Sequence, residues 1–223
     1  MTETQLTPFI ASRTDGFDGL RLVRPSFVPE LQLHLADDPI VLRARIEAEF
    51  GPGSTPFWAI AWIGGQALAR YVLDHPEVVA GRRVLDVGSG GGIAAIAAAK
   101  AGARTVIAND IDPYALVAAT MNAQANAVTV TFNEDELLDG DGGDAEVILV
   151  GDAFYASSLA VRMQSFLQRA VARGAHVLVG DPDRGHLPAS WLKVLTSYRV
   201  SGLGAAEDSE ITRVSVLGPA NRR

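Results

Sequence analysis

The stretch RRVLDVGSGGGIAAIAAAKAG, residues 82–102, constrains the fold more than any other. Val84 to Val87 is apolar on both alternating faces except at Asp86, and a strand of that kind has to be covered on both sides. Gly88-Ser89-Gly90-Gly91-Gly92 then turns the chain into an alanine-rich segment with strong helix propensity. The same alternation continues: strand TVIAND (105–110), helix PYALVAATMNAQAN (113–126) with proline first, a short strand VTVTF (128–132) and a fully apolar strand AEVILVGD (145–152). Helix LAVRMQSFLQRAVARG (159–174), ended by Gly174, and the buried strand AHVLVGD (175–181) follow. Apolar strands alternating with helices predict an α/β fold, a mostly parallel sheet with helices on both faces. A short helix near 188–195 and two strands, YRVSGLG and ITRVSVLG, with no helix between them, predict an antiparallel hairpin on one edge.

Upstream, residues 1–55 read as an N-terminal extension or cap and 56–223 as the main domain. The first 37 residues have no clear period and carry Pro8, Pro25 and Pro29. Asp38-Pro39 starts a helix that GPGS (51–54) breaks, and a second helix spans about Gly65 to Leu73, with Pro76 closing it. Trp58 and Trp62, four apart, read as a packing pair on one helix, with Trp62 beside the ligand because Gly64-Gly65 follow it.

Composition limits the function. A formal charge of −7 opposes broad binding to nucleic-acid phosphates and suits a small molecule or a basic protein. The chain has no cysteine, which removes thiolate metal sites and fits a cytoplasmic location. His34, His75, His176 and His186 show no metal spacing, so no metal is expected, and His176, in a buried strand, reads as structural. No run of about 18 apolar residues points to a membrane.

Ligands of open parallel sheets bind beyond the carboxyl ends of the strands. The dinucleotide pattern G-x-G-x-x-G fails from Gly88 and fits loosely from Gly90, through Gly92 to Ala95, so glycines alone leave a nicotinamide cofactor open. Asp86 is the discriminating residue, because a carboxylate two residues before the first glycine disfavours a pyrophosphate and favours a cationic cofactor. S-adenosylmethionine carries a sulfonium and an ammonium and no phosphate. Asp110, ending the next strand, is placed for ribose hydroxyls. The competing structural reading has Asp86 capping a loop and Asp110 closing a strand.

The segment D-V-G-S-G-G-G, followed by A-N-D-I-D-P, resembles class I S-adenosylmethionine-dependent methyltransferases. With PFWAIAWIGGQALARYVLD (56–74), VGDAFY (150–155) and GDPDR (180–184), it is similar to the lysine methyltransferases of the electron transfer flavoprotein beta subunit. The resemblance implies a Rossmann-like, seven-stranded sheet and S-adenosylmethionine as cofactor, held by Asp86, Gly88, Ser89, Gly90, Asp110, Ile111, Trp62 and Gly65. It implies that Asp152, Phe154 and Tyr155 face the transferred methyl group and that the substrate is a protein. A lysine has to arrive neutral; Asp152 could accept its proton or aim its lone pair, Tyr155 supply a hydroxyl and Phe154 a wall. Alternatively, Asp152 caps the helix that begins near Ser157 and the two aromatics are packing. A methyltransferase for a small amine or a ribosomal protein, and a non-catalytic docking module, are the competing functions; retention of Asp86, Asp110 and Asp152 together favours catalysis.

Overall fold

The structure, a computed structural model, describes residues 19–50, 55–188, 191–200 and 210–220. Strands β1 (Leu20–Val23) and β2 (Leu33–Ala36) form an antiparallel hairpin. Helix α1 (Pro39–Phe50) starts where Asp38 Oδ1 accepts the N–H groups of Ile40, at 2.9 Å, and Val41, at 3.1 Å. After a 3-10 turn at Phe57–Ala59 comes α2 (Ile63–Asp74), and then the alternating series begins. It runs β3 (Arg83–Val87), α3 (Ile93–Lys100), β4 (Thr105–Asn109), α4 (Pro113–Ala125), β5 (Thr131–Asn133), β6 (Val147–Gly151), α5 (Ser157–Ala172) and β7 (His176–Asp181). Strands β8 (Leu192–Arg199) and β9 (Arg213–Pro219) complete it.

Among the described residues one seven-stranded sheet forms, in the order β5-β4-β3-β6-β7-β9-β8. The pairs from β5 to β7 are parallel, and β9 runs antiparallel to both β7 and β8. The expected mostly parallel sheet with a C-terminal antiparallel hairpin is therefore present. Alternation along the strands splits the core. Val84, Val147, Leu149 and Leu178 pack with Leu68 and Val72 of α2 and Ile96 of α3. Leu85, Ile148, Val150, Val177 and Val179 pack with Met163, Phe166 and Leu167 of α5 on the other side. Burying a side chain of this size stabilises the fold by about 1.5–3 kcal/mol.

Four local expectations are corrected. Residues expected as a helix at 188–195 lead instead into β8, whose pairing with β9 from Leu192↔Pro219 to Arg199↔Arg213 overrides local helix propensity. The strand expected at 128–132 is shorter and later, Thr131–Asn133, with Val128 and Val130 packed on the core. Trp58 and Trp62 do not share a helix: Trp58 is buried in the 3-10 turn and Trp62 is the N-cap residue of α2. His176 is exposed, because it is the first residue of β7 and precedes the covered part of the strand. Residues 1–18, the GPGS segment and the SGLG end of the expected YRVSGLG strand lie outside the described residues.

The hairpin is tied into the main sheet's architecture. Val28, Leu31 and Leu33 share the core of α2 and α3. Asn122 of α4, with no exposed surface, accepts the His34 N–H at 2.6 Å and donates to the Gly91 carbonyl at 2.8 Å, joining β2 to the glycine loop. Asn122→Leu leaves both groups without this partner and is expected to lower stability by about 1–3 kcal/mol. Urea unfolding measures it; an unchanged midpoint would contradict the bridge.

Candidate active site

The chain leaves β3 for β4 on one side and returns to β6 on the other, so the loops after β3 and β6 diverge and leave a crevice between them. A cleft of about 390 Å³ opens there. The glycine loop forms one wall. Gly88 has φ +67°, and a Cβ there would meet nothing within 4 Å, so a residue with a side chain would be both strained and projected into open space. A Cβ on Gly91 would stand 2.8 Å from the Trp58 carbonyl oxygen, so the close approach of these backbones requires glycine.

Asp110 lines the cleft and holds this wall, its Oδ2 accepting the Gly90 N–H at 2.8 Å and its Oδ1 the Asp112 N–H at 3.0 Å. Burial pushes its carboxyl above the usual range, against the pull of those backbone donors. Asp86, expected beside the ligand, lies deeper. It is 2 % exposed, does not line the cleft, and its Oδ2 accepts the N–H of Ala95 at 2.9 Å. Ala95 is the third residue of α3, and its N–H is one of the donors a helix start leaves unpaired. The acid inside the apolar strand is thus a tertiary cap that fixes the helix behind the glycine loop.

Burial pushes the carboxyls of Asp86 and Asp181 up to about 7. Against an unfolded value of ~3.9, the folded state keeps a proton that the unfolded state releases, so stability falls as pH rises from ~4 to about 7. Asp86→Asn removes one such group, and the loss of stability between pH ~5 and ~8 is expected to shrink by a few kcal/mol at most. Urea midpoints at both pH values check this; an identical pH dependence in the variant would contradict it.

The opposite wall is built from β6, β7 and the start of α2. Asp152, immediately after β6, has φ +57°, a left-handed conformation uncommon outside glycine. Its N–H donates to the Gly180 carbonyl at 2.8 Å, its Oδ2 accepts the Gly64 N–H at 2.8 Å and its Oδ1 the Arg184 Nε–H at 2.7 Å. The Arg184 guanidinium lies over the Trp62 ring, 5.4 Å from its centroid. Phe57 stands 5.9 Å from Trp62 and 6.0 Å from Tyr155 between ring centroids, and Phe57 and Tyr155 are about half exposed. The result is an aromatic mouth beside a carboxylate–guanidinium pair. Asp152 does not cap α5: Ala156 occupies that position, without a side-chain cap.

Of the residues singled out in the sequence, the fold brings Gly88, Gly90, Asp110, Ile111, Trp62, Asp152 and Tyr155 to the cleft. Asp86, Ser89, Gly65 and Phe154 stand behind its walls. Ser89 is buried, its N–H bonded to the Asn109 carbonyl at 2.9 Å. Gly65 is a contact between helix and sheet, since a Cβ on Gly151 would stand 2.9 Å from its Cα. Phe154 is fully buried in the core under α5. The cleft also contains Phe57, Arg184 and the ion pair of Arg162 with Glu136, 3.1 Å apart, to which sequence reasoning gave no role in the chemistry. The one available signal was an arginine just past a buried strand's carboxyl end, in GDPDR.

The family model described as ribosomal protein L11 methyltransferase (PrmA) matches residues 65–173. The chain is 44% identical over 161 residues to the electron transfer flavoprotein beta subunit lysine methyltransferase of Danio rerio, covering 71% of this chain and 62% of that protein. It is 38% identical over 200 residues to the Rattus norvegicus protein of the same name, covering 86% of this chain and 77% of the relative. The chain thus spans about three fifths to three quarters of the length of these relatives. In fold it is similar to the magnesium protoporphyrin IX methyltransferase (ChlM) of Synechocystis PCC 6803 with bound SAM, at TM-score 0.53 and 18% identity, covering 82% of this chain and 98% of that one. With this level of identity along most of its length, the chain belongs to the family of electron transfer flavoprotein beta subunit lysine methyltransferases.

Proposed function

We propose that the protein is an S-adenosylmethionine-dependent protein-lysine N-methyltransferase acting on the beta subunit of electron transfer flavoprotein. The observation that carries the chemistry is the meeting of Asp152, Tyr155 and the Phe57–Trp62 rings across the cleft from Asp110 and the open backbone at Gly88. The name of the relatives supports the substrate.

The residues present fit the cofactor. Charged groups lining the cleft are Asp110, Asp112, Glu136 and Asp152 against Arg162 and Arg184, and both arginines are paired with carboxylates. That balance opposes a pyrophosphate and suits a ligand that carries positive charge and no phosphate. Asp110 would accept from ribose hydroxyls, the backbone at Gly88 would lie against the ligand, and Ile111 and Leu138 would offer apolar surface. Bound there, the cofactor supplies an electrophilic methyl group.

The chain's own part is positioning and electrostatics. Phe57, Trp62 and Tyr155 present π faces at the solvent-open mouth that attract a lysine side chain as it arrives. Tyr155 remains a neutral hydrogen-bond donor, since burial pushes its hydroxyl up further. Asp152, fixed by the Gly64 N–H and Arg184, accepts a hydrogen bond from the incoming amine and turns its lone pair toward the methyl group.

Incubation with S-adenosylmethionine carrying a radiolabelled methyl group and a lysate of the same cell, resolved on a gel, tests the reading. A labelled band identified by mass spectrometry as the flavoprotein beta subunit is expected. Label confined to ribosomal protein L11, the alternative suggested by the match over residues 65–173, or to small molecules, would contradict it.

A further inference from the structure

We propose that Arg184 is an electrostatic positioning residue: its guanidinium neutralises Asp152, so that a lysine entering the cleft gives its proton to solvent water and presents a free amine. The inference rests on the methyltransferase reading above and adds to it a reason why the acceptor is reactive.

The physical problem is one of sign. A lysine ammonium has a reference pKa of ~10.4, and a lone carboxylate within hydrogen-bonding reach raises it further by favouring the charged form. An unneutralised Asp152 would therefore hold the acceptor as an ammonium, which has no lone pair to give. In the structure Asp152 is not alone. Its Oδ1 accepts from Arg184 Nε at 2.7 Å, with the two side chains 6 % and 23 % exposed, respectively. An arginine keeps its charge throughout the working pH range. The same guanidinium lies over the Trp62 ring, so packing and the ion pair fix it from two sides. Asp152 can then accept a hydrogen bond from the amine while the pair exerts little net attraction on an ammonium.

The other charged groups around the pair leave Arg184 as the balancing cation. From the end of β7, Asp181 is 1 % exposed and accepts the Asp183 N–H at 2.6 Å. Burial raises its carboxyl to about 7, with the Asp152 charge adding to the rise and Arg184 opposing it, so near neutrality it is at least partly protonated. Asp183 follows on the same loop, exposed. From ahead of α5 comes Tyr155, neutral as argued above. On the far wall Asp110 and Asp112 follow β4, Asp110 tied to Gly90 and both held in the loop's own hydrogen bonds. The remaining cleft cation, Arg162, is engaged by Glu136 at 3.1 Å and Asp139 at 3.4 Å. Removing Arg184 therefore takes away the cation that holds Asp152 Oδ1 at 2.7 Å.

The test is the pH profile of kcat, which reports groups in the enzyme–substrate complex, for transfer of labelled methyl groups to saturating purified flavoprotein beta subunit, with wild type, Arg184→Gln and Arg184→Lys. In Arg184→Gln the rising limb on the acid side is expected to move up by about one pH unit, which is about a tenfold loss near pH ~7 that is recovered at higher pH. Arg184→Lys keeps the charge and is expected to keep the limb near its wild-type position, with a lower maximum because an ammonium cannot reproduce the fork over the ring. Calorimetry with S-adenosylhomocysteine, which involves no turnover, is expected to give unchanged affinity in both variants. A loss in Arg184→Gln that is equal at every pH, or a limb displaced as far in the lysine variant, would overturn the inference while leaving the proposed function standing. No transfer by the wild type would overturn both.

Discussion

Asp152→Ala is expected to lower the turnover of methyl transfer by about two to three orders of magnitude, the range associated with losing one preorganised hydrogen-bonding group. Cofactor affinity, measured by calorimetry, is expected to stay within a few-fold, because Asp110, Gly88 and Ile111 come from the loops after β3 and β4 and are untouched. The alanine also removes the acceptor of the buried Gly64 N–H and the carboxylate bonded to Arg184 Nε, which costs about 1–3 kcal/mol of stability. Asp152→Asn separates these effects. Asparagine tolerates φ +57° and retains an oxygen for Gly64, so unfolding should lie nearer wild type while turnover stays low. Near-normal turnover in the asparagine variant would remove Asp152 from the chemistry and leave it a structural role.

Gly64→Ala is expected to lower stability and activity together. The first turn of α2 lies so close to β6 and β7 that a Cβ at Gly64 would stand 2.5 Å from the Gly180 carbonyl oxygen, 2.9 Å from Asp152 Oδ2 and 3.0 Å from Asp152 N. Two of these atoms are backbone, and the Gly180 oxygen already accepts the Asp152 N–H, so relief requires α2 to lift from the sheet. Overpacking of this kind costs about 1–3 kcal/mol or more, beyond any gain in helix propensity of at most about 1 kcal/mol. Because the displaced atoms belong to Asp152, activity should fall with stability. Gly65→Ala is the control: its Cβ would meet the Ile93 Cγ2 at 3.1 Å, a side-chain atom that can shift, and a smaller loss is expected. Equal urea midpoints for Gly64→Ala and wild type would show that α2 and the sheet are not locked together as described.

The alternation from β3 to β7 was legible in the sequence because strands apolar on both faces, such as VILVG, have no alternative to burial between helices. Helix starts were legible where the cap is local, as with Asp38 before Pro39 and Asp112 before Pro113. Strand β8 was not, since LKVLTSYR is largely exposed and owes its extended form to pairing with β9, some twenty residues downstream. The glycine loop and Asp110 were legible as one wall of a cleft, but the bond between Asp86 and the Ala95 N–H was not, since its donor lies nine residues on, beyond the turn. Arg184 and Phe57 were visible within GDPDR and PFWAIAWIGG, but their pairing with Asp152 and Tyr155, distant in sequence, was not. Gly64 and Gly65 were seen as a pair, yet their purpose, the close passage of α2 over β6 and β7, depends on the glycines at 151 and 180.

Whether this cleft methylates lysine on the flavoprotein beta subunit is read from the mass of that purified subunit. After incubation with enzyme and S-adenosylmethionine, a gain of one or more methylene masses is expected, located on lysine by fragmentation and absent with Asp152→Asn. An unchanged mass under conditions where calorimetry records cofactor binding would contradict it.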